Sequence, residues 1–236
     1  MDETNWIERS RPFLEAVEAW YRALPSISLR DLCLSPARVA VFCVDLVVGF
    51  CYEGPLSSPR VAAIVPPIVD LFQRAYDLGV RYFLLPQDQH PRQAVEFEAF
   101  GPHCLVGTRE AETVPELRAL PFSHLFQIIP KNSLNAALET GLNDWVDVHP
   151  GVHTYIVVGD CTDLCVYQLA MHLRLRANAK GLKRRVIVPA NCVDTYDLPV
   201  ERARELGLLP HDGDLLHRLF LYHMALNGVE VVRELT

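Results

Sequence analysis

The sequence predicts an α/β protein with a largely parallel sheet, because short apolar runs alternate along the chain with segments of helical periodicity. The runs are rich in β-branched and aromatic residues and have the length of buried strands. Helical patterns extend from Val61 to Leu78, from Leu134 to Val146 and from Val166 to Gly181. The strand-like runs are Arg38 to Val44, Val80 to Pro86, Leu125 to Pro130 and Tyr155 to Val158.

A charged residue or a thiol stands at or shortly after the end of each strand-like run. These residues are Asp45, Asp88, Lys131 and Cys165. Parallel strands end at the same edge of a sheet, and ligands of such sheets bind outside that edge. One polar residue there is explained by chance or by helix capping, whereas two acids, a lysine and a thiol together indicate an assembled site.

Cys165 is the candidate nucleophile, because it lies where the fourth strand passes into a helix. A thiol in the first turn of a helix is close to the positive end of the helix dipole and to unpaired N–H groups. Both features favour a thiolate and can bind an oxyanion. The alternative for a lone cysteine is a small buried apolar side chain. The other polar strand ends favour catalysis.

Three further segments carry motifs. Asp45 begins DLVVGFCYEGPL, in which a phenylalanine follows five residues later and a Gly-Pro-Leu turn closes the segment. Residues 87–91 read QDQHP, and residues 100–108 read FGPHCLVGT. Together with Lys131 and Cys165, these segments resemble the isochorismatase-like cysteine hydrolases, and among them most of all the nicotinamidases. The resemblance implies a three-layer, doubly wound sheet of about six mainly parallel strands, with helices on both faces.

The resemblance also implies a role for each catalytic residue. Cys165 attacks an amide carbon, Asp45 carries the thiol proton to the leaving amine, and Lys131 favours thiolate and carboxylate electrostatically. The oxyanion hole consists of the backbone N–H groups of Cys161 and Cys165. The peptide bond between Asp160 and Cys161 is therefore expected to be cis.

Asp88, His90 and His103 match the metal ligands of nicotinamidases, which hold the pyridine nitrogen of the substrate. One carboxylate and two imidazoles suit a single divalent ion, most of all Zn²⁺, with Mn²⁺ or Fe²⁺ as alternatives. Taken without the resemblance, Asp-Gln-His is a weak signal that a solvated loop explains equally well. With His103 inside a matching segment, we expect a metal site.

Phe50 and Phe100 stand where the family places aromatic residues that hold a flat substrate ring, and ordinary core packing is the alternative. Phe100 replaces the more usual tryptophan. The family's Gln-Asn-Asp after the first aspartate reads Val47-Val48-Gly49 here, and Cys161 stands where a small alanine is common. These departures bear on the substrate more than on the chemistry.

Composition limits the possible partners. The chain has 236 residues, 50% of them hydrophobic, and a net charge of −7, and it has no basic stripe for nucleic acid. The sequence has no apolar run of about 20 residues, the length that would predict a membrane span. Seven scattered cysteines and the lack of a signal peptide predict reduced thiols and a cytoplasmic location. A redox or metal role for Cys161, Cys165 and Cys192 is the weaker alternative.

The first 36 residues are expected to form a helical extension to a catalytic domain at residues 37–236. Phe13, Val17, Trp20, Tyr21 and Leu24 recur at helical spacing, so this helix should pack on its own domain or on a second subunit of a homo-oligomer.

Three functions remain open at this point. The leading one is hydrolysis of nicotinamide or a close aromatic amide through a thioester on Cys165. The second is another reaction of the superfamily, on an aliphatic or ureido amide or on isochorismate. The third is a catalytically silent scaffold, which the retained Asp45, Lys131 and Cys165 disfavour.

Overall fold

The computed structural model describes residues 5–236 and contains one sheet in which all strand pairings are parallel. The strand order is β3-β2-β1-β4-β5-β7, and the short β6 pairs with β4. The strands are β1 (Val39–Val44), β2 (Tyr82–Asp88), β3 (Phe126–Lys131), β4 (Thr154–Asp160), β5 (Arg185–Pro189), β6 (Val193–Asp194) and β7 (Glu230–Val232).

Helices cover both faces of the sheet, as expected for a doubly wound fold. In β1, Val41 faces one apolar core with helix α5, and Phe42 faces the opposite core with α9 and α11. The helices are α1 (Trp6–Arg22), α2 (Leu29–Leu32), α3 (Val48–Cys51), α4 (Pro59–Ala63), α5 (Val65–Asp77), α6 (Phe97–Phe100), α7 (Pro115–Arg118), α8 (Leu142–Val148), α9 (Cys165–Ala179), α10 (Val200–Leu206) and α11 (Gly213–Leu226). The predicted fold class is confirmed.

One predicted helix is largely wrong. The pattern from Leu134 to Val146 is helical only from Leu142 onward. The side chain of Asn135 accepts a hydrogen bond from the N–H of Ala137 at 2.9 Å, and that of Thr140 accepts one from Leu142 at 3.2 Å. These side chains take the place of main-chain acceptors and hold a turn where the apolar spacing suggested a helix.

The predicted N-terminal helix packs on its own domain. Trp20 of α1 lies edge-on to Tyr222 of α11 with 5.2 Å between ring centroids, and Glu18 pairs with Arg218 at 2.8 Å. Trp6 and Phe13 remain largely exposed. The first four residues lie outside the described part of the chain, and both the division at residue 36 and the homo-oligomer stay predictions. No helix within residues 5–236 is long and apolar enough to cross a membrane.

Candidate active site

The ends of four adjacent strands bring the predicted catalytic residues together. Asp88 and Lys131 are register partners at the ends of β2 and β3. Asp45 directly follows β1, whose last residue Val44 pairs with Gly159 of β4. Gly159 is required at this position, because a Cβ on it would lie 2.0 Å from the carbonyl oxygen of Val44. The close approach of β1 and β4 places Asp45 beside the segment that leads to Cys165.

Lys131 is the centre of this cluster of predicted catalytic residues. Its Nζ lies 2.7 Å from Oδ2 of Asp45, 2.5 Å from Oδ1 of Asp88 and 3.4 Å from Sγ of Cys165. The side chains of Lys131 and Asp45 are fully buried. Asp45 also accepts a hydrogen bond from the backbone N–H of Asp88 at 2.8 Å. The other three side chains predicted at the sheet edge therefore all lie around the Nζ atom of Lys131.

The cluster shifts the pKa values of its members in different directions. Burial and the charge of Asp88 raise the pKa of Asp45 to about 6, against the opposing effect of Lys131. Burial acts against the ionised form of Asp88, but Lys131 and two neighbouring histidines outweigh it and lower the pKa of Asp88. Burial likewise disfavours the charged form of Lys131, yet Asp45, Cys165 and Asp88 raise its pKa well above the usual value.

Burial also raises the pKa of the Cys165 thiol, and the nearby ammonium of Lys131 opposes this shift. The resting site thus holds a neutral thiol, a lysine ammonium and an ionised Asp88. Asp45 titrates near neutral pH, which is the range in which a carboxylate exchanges protons most efficiently with a reacting group.

The turn before Cys165 has the geometry that the resemblance implies. The peptide bond between Asp160 and Cys161 is cis, and α9 begins at Cys165. Within the described residues, the hydrogen bonds of turns and loops use neither the N–H of Cys161 nor that of Cys165. Both groups are thus free to donate to a ligand oxygen.

The predicted metal ligands form a second cluster that shares Asp88. Nε2 of His90 lies 3.4 Å from Oδ1 of Asp88, and Nε2 of His103 lies 3.7 Å from its Oδ2. The backbone joins the two histidine segments, because the N–H of His90 donates to the carbonyl of Cys104 at 3.0 Å. All three side chains are buried. Nε2 of His90 has no hydrogen-bond partner in the described residues, which fits a metal ligand better than a core histidine.

Two residues that were not among the predicted ligands complete this cluster. One ligand atom each from Glu96, Asp88, His90 and His103 lies within 4.8 Å of the others. Oε1 of Glu96 is buried and unpaired within residues 5–236. Nδ1 of His90 donates to Oδ1 of Asn132 over 2.7 Å, which leaves Nε2 to face Asp88. Two carboxylates and two imidazoles therefore form a donor set that fits a divalent cation.

Aromatic side chains border the cluster on the side of His103. The ring centroids of Phe50 and Phe100 lie 5.7 and 6.4 Å from that of His103. Phe97, which the sequence analysis did not select, lies 5.3 Å from His90 and 5.6 Å from His103. Contact with a substrate ring stays a prediction for Phe50 and Phe100.

Comparison with known proteins agrees with this arrangement. A family model for the isochorismatase domain matches residues 39–210, which include every residue of both clusters. The chain belongs to the isochorismatase family. As a member of this family it is a hydrolase, and the resemblance identified from its motifs is confirmed.

Several characterised proteins are similar to this isochorismatase-family chain. Nicotinamidase 1 of Arabidopsis thaliana is 27% identical over 217 residues, which cover 85% of this chain and 87% of that protein. The pyrazinamidase/nicotinamidase of Streptococcus mutans superposes with a TM-score of 0.66 at 21% identity, over 82% of this chain and 99% of that one. The pyrazinamidase of Pyrococcus horikoshii in complex with zinc gives a TM-score of 0.62 at 21% identity, over 83% and 99%.

Two cysteines outside the site, Cys43 and Cys192, are packed in the apolar core. All seven cysteines of the chain are free thiols and all lie within the described residues. Cys192 is buried in the same apolar core as Cys43. Apolar packing accounts for both residues, and the redox alternative gains no support from them.

Proposed function

We propose that this protein hydrolyses nicotinamide, or a closely related aromatic amide, to the carboxylic acid and ammonia through a thioester on Cys165. The observation that carries the proposal is the contact of one buried lysine, Lys131, with both the carboxylate of Asp45 and the thiol of Cys165. A thiol, a proton acceptor and a fixed positive charge are the groups that amide hydrolysis by a cysteine requires.

Asp45 acts first as a base. It takes the proton of the Cys165 thiol while Sγ attacks the carbonyl carbon of the amide, which forms a C–S bond and places negative charge on the carbonyl oxygen. The ammonium of Lys131 compensates for this negative charge at the moment when Asp45 becomes neutral. A pKa of about 6 makes Asp45 able both to accept the proton and to release it near neutral pH.

The unused N–H groups of Cys161 and Cys165 are the donors that stabilise the oxyanion. When the C–N bond breaks, Asp45 returns its proton to the nitrogen, and ammonia leaves. Asp45 then accepts a proton from water as the water oxygen attacks the thioester. The acid departs, and the proton returns to the thiol of Cys165.

The second cluster is the proposed site of one divalent ion, most of all zinc, with Asp88, His90, His103 and Glu96 as ligands. When bound, such an ion supplies a Lewis acid that can hold a ring nitrogen. Phe50 and Phe100 would contact the faces of an aromatic ring held there. Fixed orientation of the ring would present the carboxamide to Cys165, because a misplaced carbonyl is not attacked.

Ammonia release from nicotinamide and from benzamide tests the substrate. The two amides have the same shape, but benzamide lacks the ring nitrogen. We expect kcat/KM for nicotinamide to exceed that for benzamide by about 100-fold or more, because a polar site rejects analogues that leave its groups unpaired. Equal rates on the two amides would contradict a nicotinamidase, and faster hydrolysis of a ureido or aliphatic amide would move the substrate to that class.

His103→Ala tests the ligand set in the same assay. We expect it to lose bound metal, measured by elemental analysis, and to lose turnover of nicotinamide more than of benzamide. His124 is exposed and supplies the matched control, so His124→Ala should keep both metal and activity. A His103→Ala protein with full metal content would refute the proposed ligands without affecting the role of Cys165.

A further inference from the structure

A cavity lies at the far end of the helix that begins at Cys165. Its volume is about 110 Å³, and its walls include Leu173 and Ala177 of α9, Val146 of α8 and Tyr155 of β4. The end of α9 is separated from Cys165 by about 15 residues, or about 20 Å of helix. The cavity is therefore separate from the active site, and the proposed amidase chemistry uses none of its residues.

The hydroxyl of Tyr155 is an unexplained polar group in this cavity. Tyr155 is 2% exposed, and its hydroxyl has no hydrogen-bond partner in the described residues. Burial raises the pKa of Tyr155 and the nearby charge of Arg184 opposes the shift, so the group is a protonated donor. A buried donor without an acceptor is costly, and in native proteins such a group usually has a hydrogen-bond partner that is protein, water or ligand.

Of the three cationic side chains in the cavity wall, Arg184 has no anionic partner among the described residues. Arg176 and Lys180 both pair with Asp147, at 2.7 and 2.8 Å. Arg184 makes no salt bridge within residues 5–236. Its Nη2 donates to the carbonyl of Pro150 at 2.6 Å, which fixes the guanidinium at the wall of the cavity. Three cations against one carboxylate give the cavity an excess of positive charge.

We propose that this cavity binds a small organic carboxylate, with the carboxylate between Arg184 and the Tyr155 hydroxyl and an apolar body against Leu173, Ala177 and Val146. The guanidinium and the hydroxyl both lack an anionic partner, and a carboxylate accepts hydrogen bonds from both kinds of donor. A space of about 110 Å³ accommodates an aliphatic acid of about four carbons, because a cavity of about 150 Å³ takes up benzene.

Titration of the whole protein with butyrate, followed by ligand-observed NMR, tests the site. We expect saturable binding to wild type. Arg184→Gln should weaken it at least about tenfold, since a charged hydrogen bond is lost, and Tyr155→Phe should weaken it about fivefold. 1-Butanol, which has a similar apolar body but no charge, should not compete, and inorganic phosphate should compete poorly because it leaves the apolar wall empty.

Lys183 supplies the matched control, because it is exposed and does not line the cavity. Lys183→Gln should bind butyrate as wild type does, and so should protein in which Cys165 is alkylated. Tyr155→Phe should unfold at the same temperature as wild type or higher, because the removed hydroxyl has no protein partner, so this variant carries the test even if Arg184→Gln fails to fold. No saturation of wild type by about 50 mM butyrate, equal affinity in wild type and Tyr155→Phe, or a preference for phosphate would each overturn the proposal.

Discussion

Replacement of Lys131 by methionine tests the centre of the predicted catalytic cluster. Methionine keeps most of the length and volume of the side chain but removes the ammonium. Two carboxylates, Asp45 and Asp88, then face each other in a buried space without the cation that lies 2.7 and 2.5 Å from them. The thiol of Cys165 loses the positive charge at 3.4 Å.

The expected loss of stability follows from these distances. Two unit charges 2.7 Å apart attract by about 6 kcal/mol at an effective dielectric constant of 20. Protonation of Asp45 relieves part of the loss, so the net destabilisation should be about 3–5 kcal/mol, as for other buried ion pairs that lose one partner. For a chain of this size, that loss lowers the unfolding temperature by about 6–20 °C.

Alkylation of Cys165 by iodoacetamide gives an independent measure. Removal of a neighbouring cation raises the pKa of a thiol, so the pH at which alkylation reaches half its maximal rate should rise. The pH profile is compared among wild type, Lys131→Met and the control Lys183→Met, in which an exposed lysine is changed. An unchanged unfolding temperature together with an unchanged alkylation profile would refute the central position of Lys131.

Three other predictions concern the two clusters. Cys165→Ala should release ammonia from nicotinamide at less than about a hundredth of the wild-type rate, because the nucleophile is lost, while metal content and fold stay intact; a higher residual rate would exclude thiol catalysis. Since Asp45 accepts a proton only when ionised and its pKa is about 6, kcat/KM should fall about tenfold per pH unit below pH 6, and Asp45→Asn should be nearly inactive at all pH values. Glu96→Gln should weaken zinc binding, measured by chelator competition, about 10- to 100-fold, because a proposed ligand is lost. Glu98→Gln, at an exposed position two residues away, should bind zinc as wild type does.

The sheet-edge residues were predictable because their position depends on local pattern. An apolar run marks where a strand ends, and the residue after it lies at the edge of the sheet whatever the details of packing. Asp45 and Lys131 needed only this rule and the parallel connectivity, and Cys165 also needed the start of the following helix. Asp88 lies two residues past its apolar run and is the last residue of β2 in the structure.

Glu96 and Phe97 were not predictable in this way, whereas Asn132, which directly follows the last residue of β3, lies within reach of the same rule. Glu96 and Phe97 lie in the segment between His90 and His103, which has no regular periodicity, and its path depends on the bridge between His90 and Leu105. That bridge joins residues fifteen apart through backbone hydrogen bonds, which carry no residue signature. Side-chain identity in such a loop reports the local turn and not the distant partner.

Asp88 joins the two clusters, and this connection has a consequence for the chemistry. A single carboxylate accepts from Lys131 through Oδ1 while both of its oxygens face histidine nitrogens. The sequence placed Asp88 at the sheet edge beside Asp45, Lys131 and Cys165, whereas the resemblance gave it a role only as a metal ligand. Because Lys131 divides its charge between two carboxylates, neither receives the full stabilisation of a simple ion pair. Asp88 remains ionised, and burial together with the repulsion of that second charge raises the pKa of Asp45 to about 6. Without Asp88, the pKa of Asp45 would be lower, because one of the two effects that raise it would be gone. The carboxylate of the proposed metal cluster therefore also adjusts the proton affinity of Asp45, the proposed acid–base.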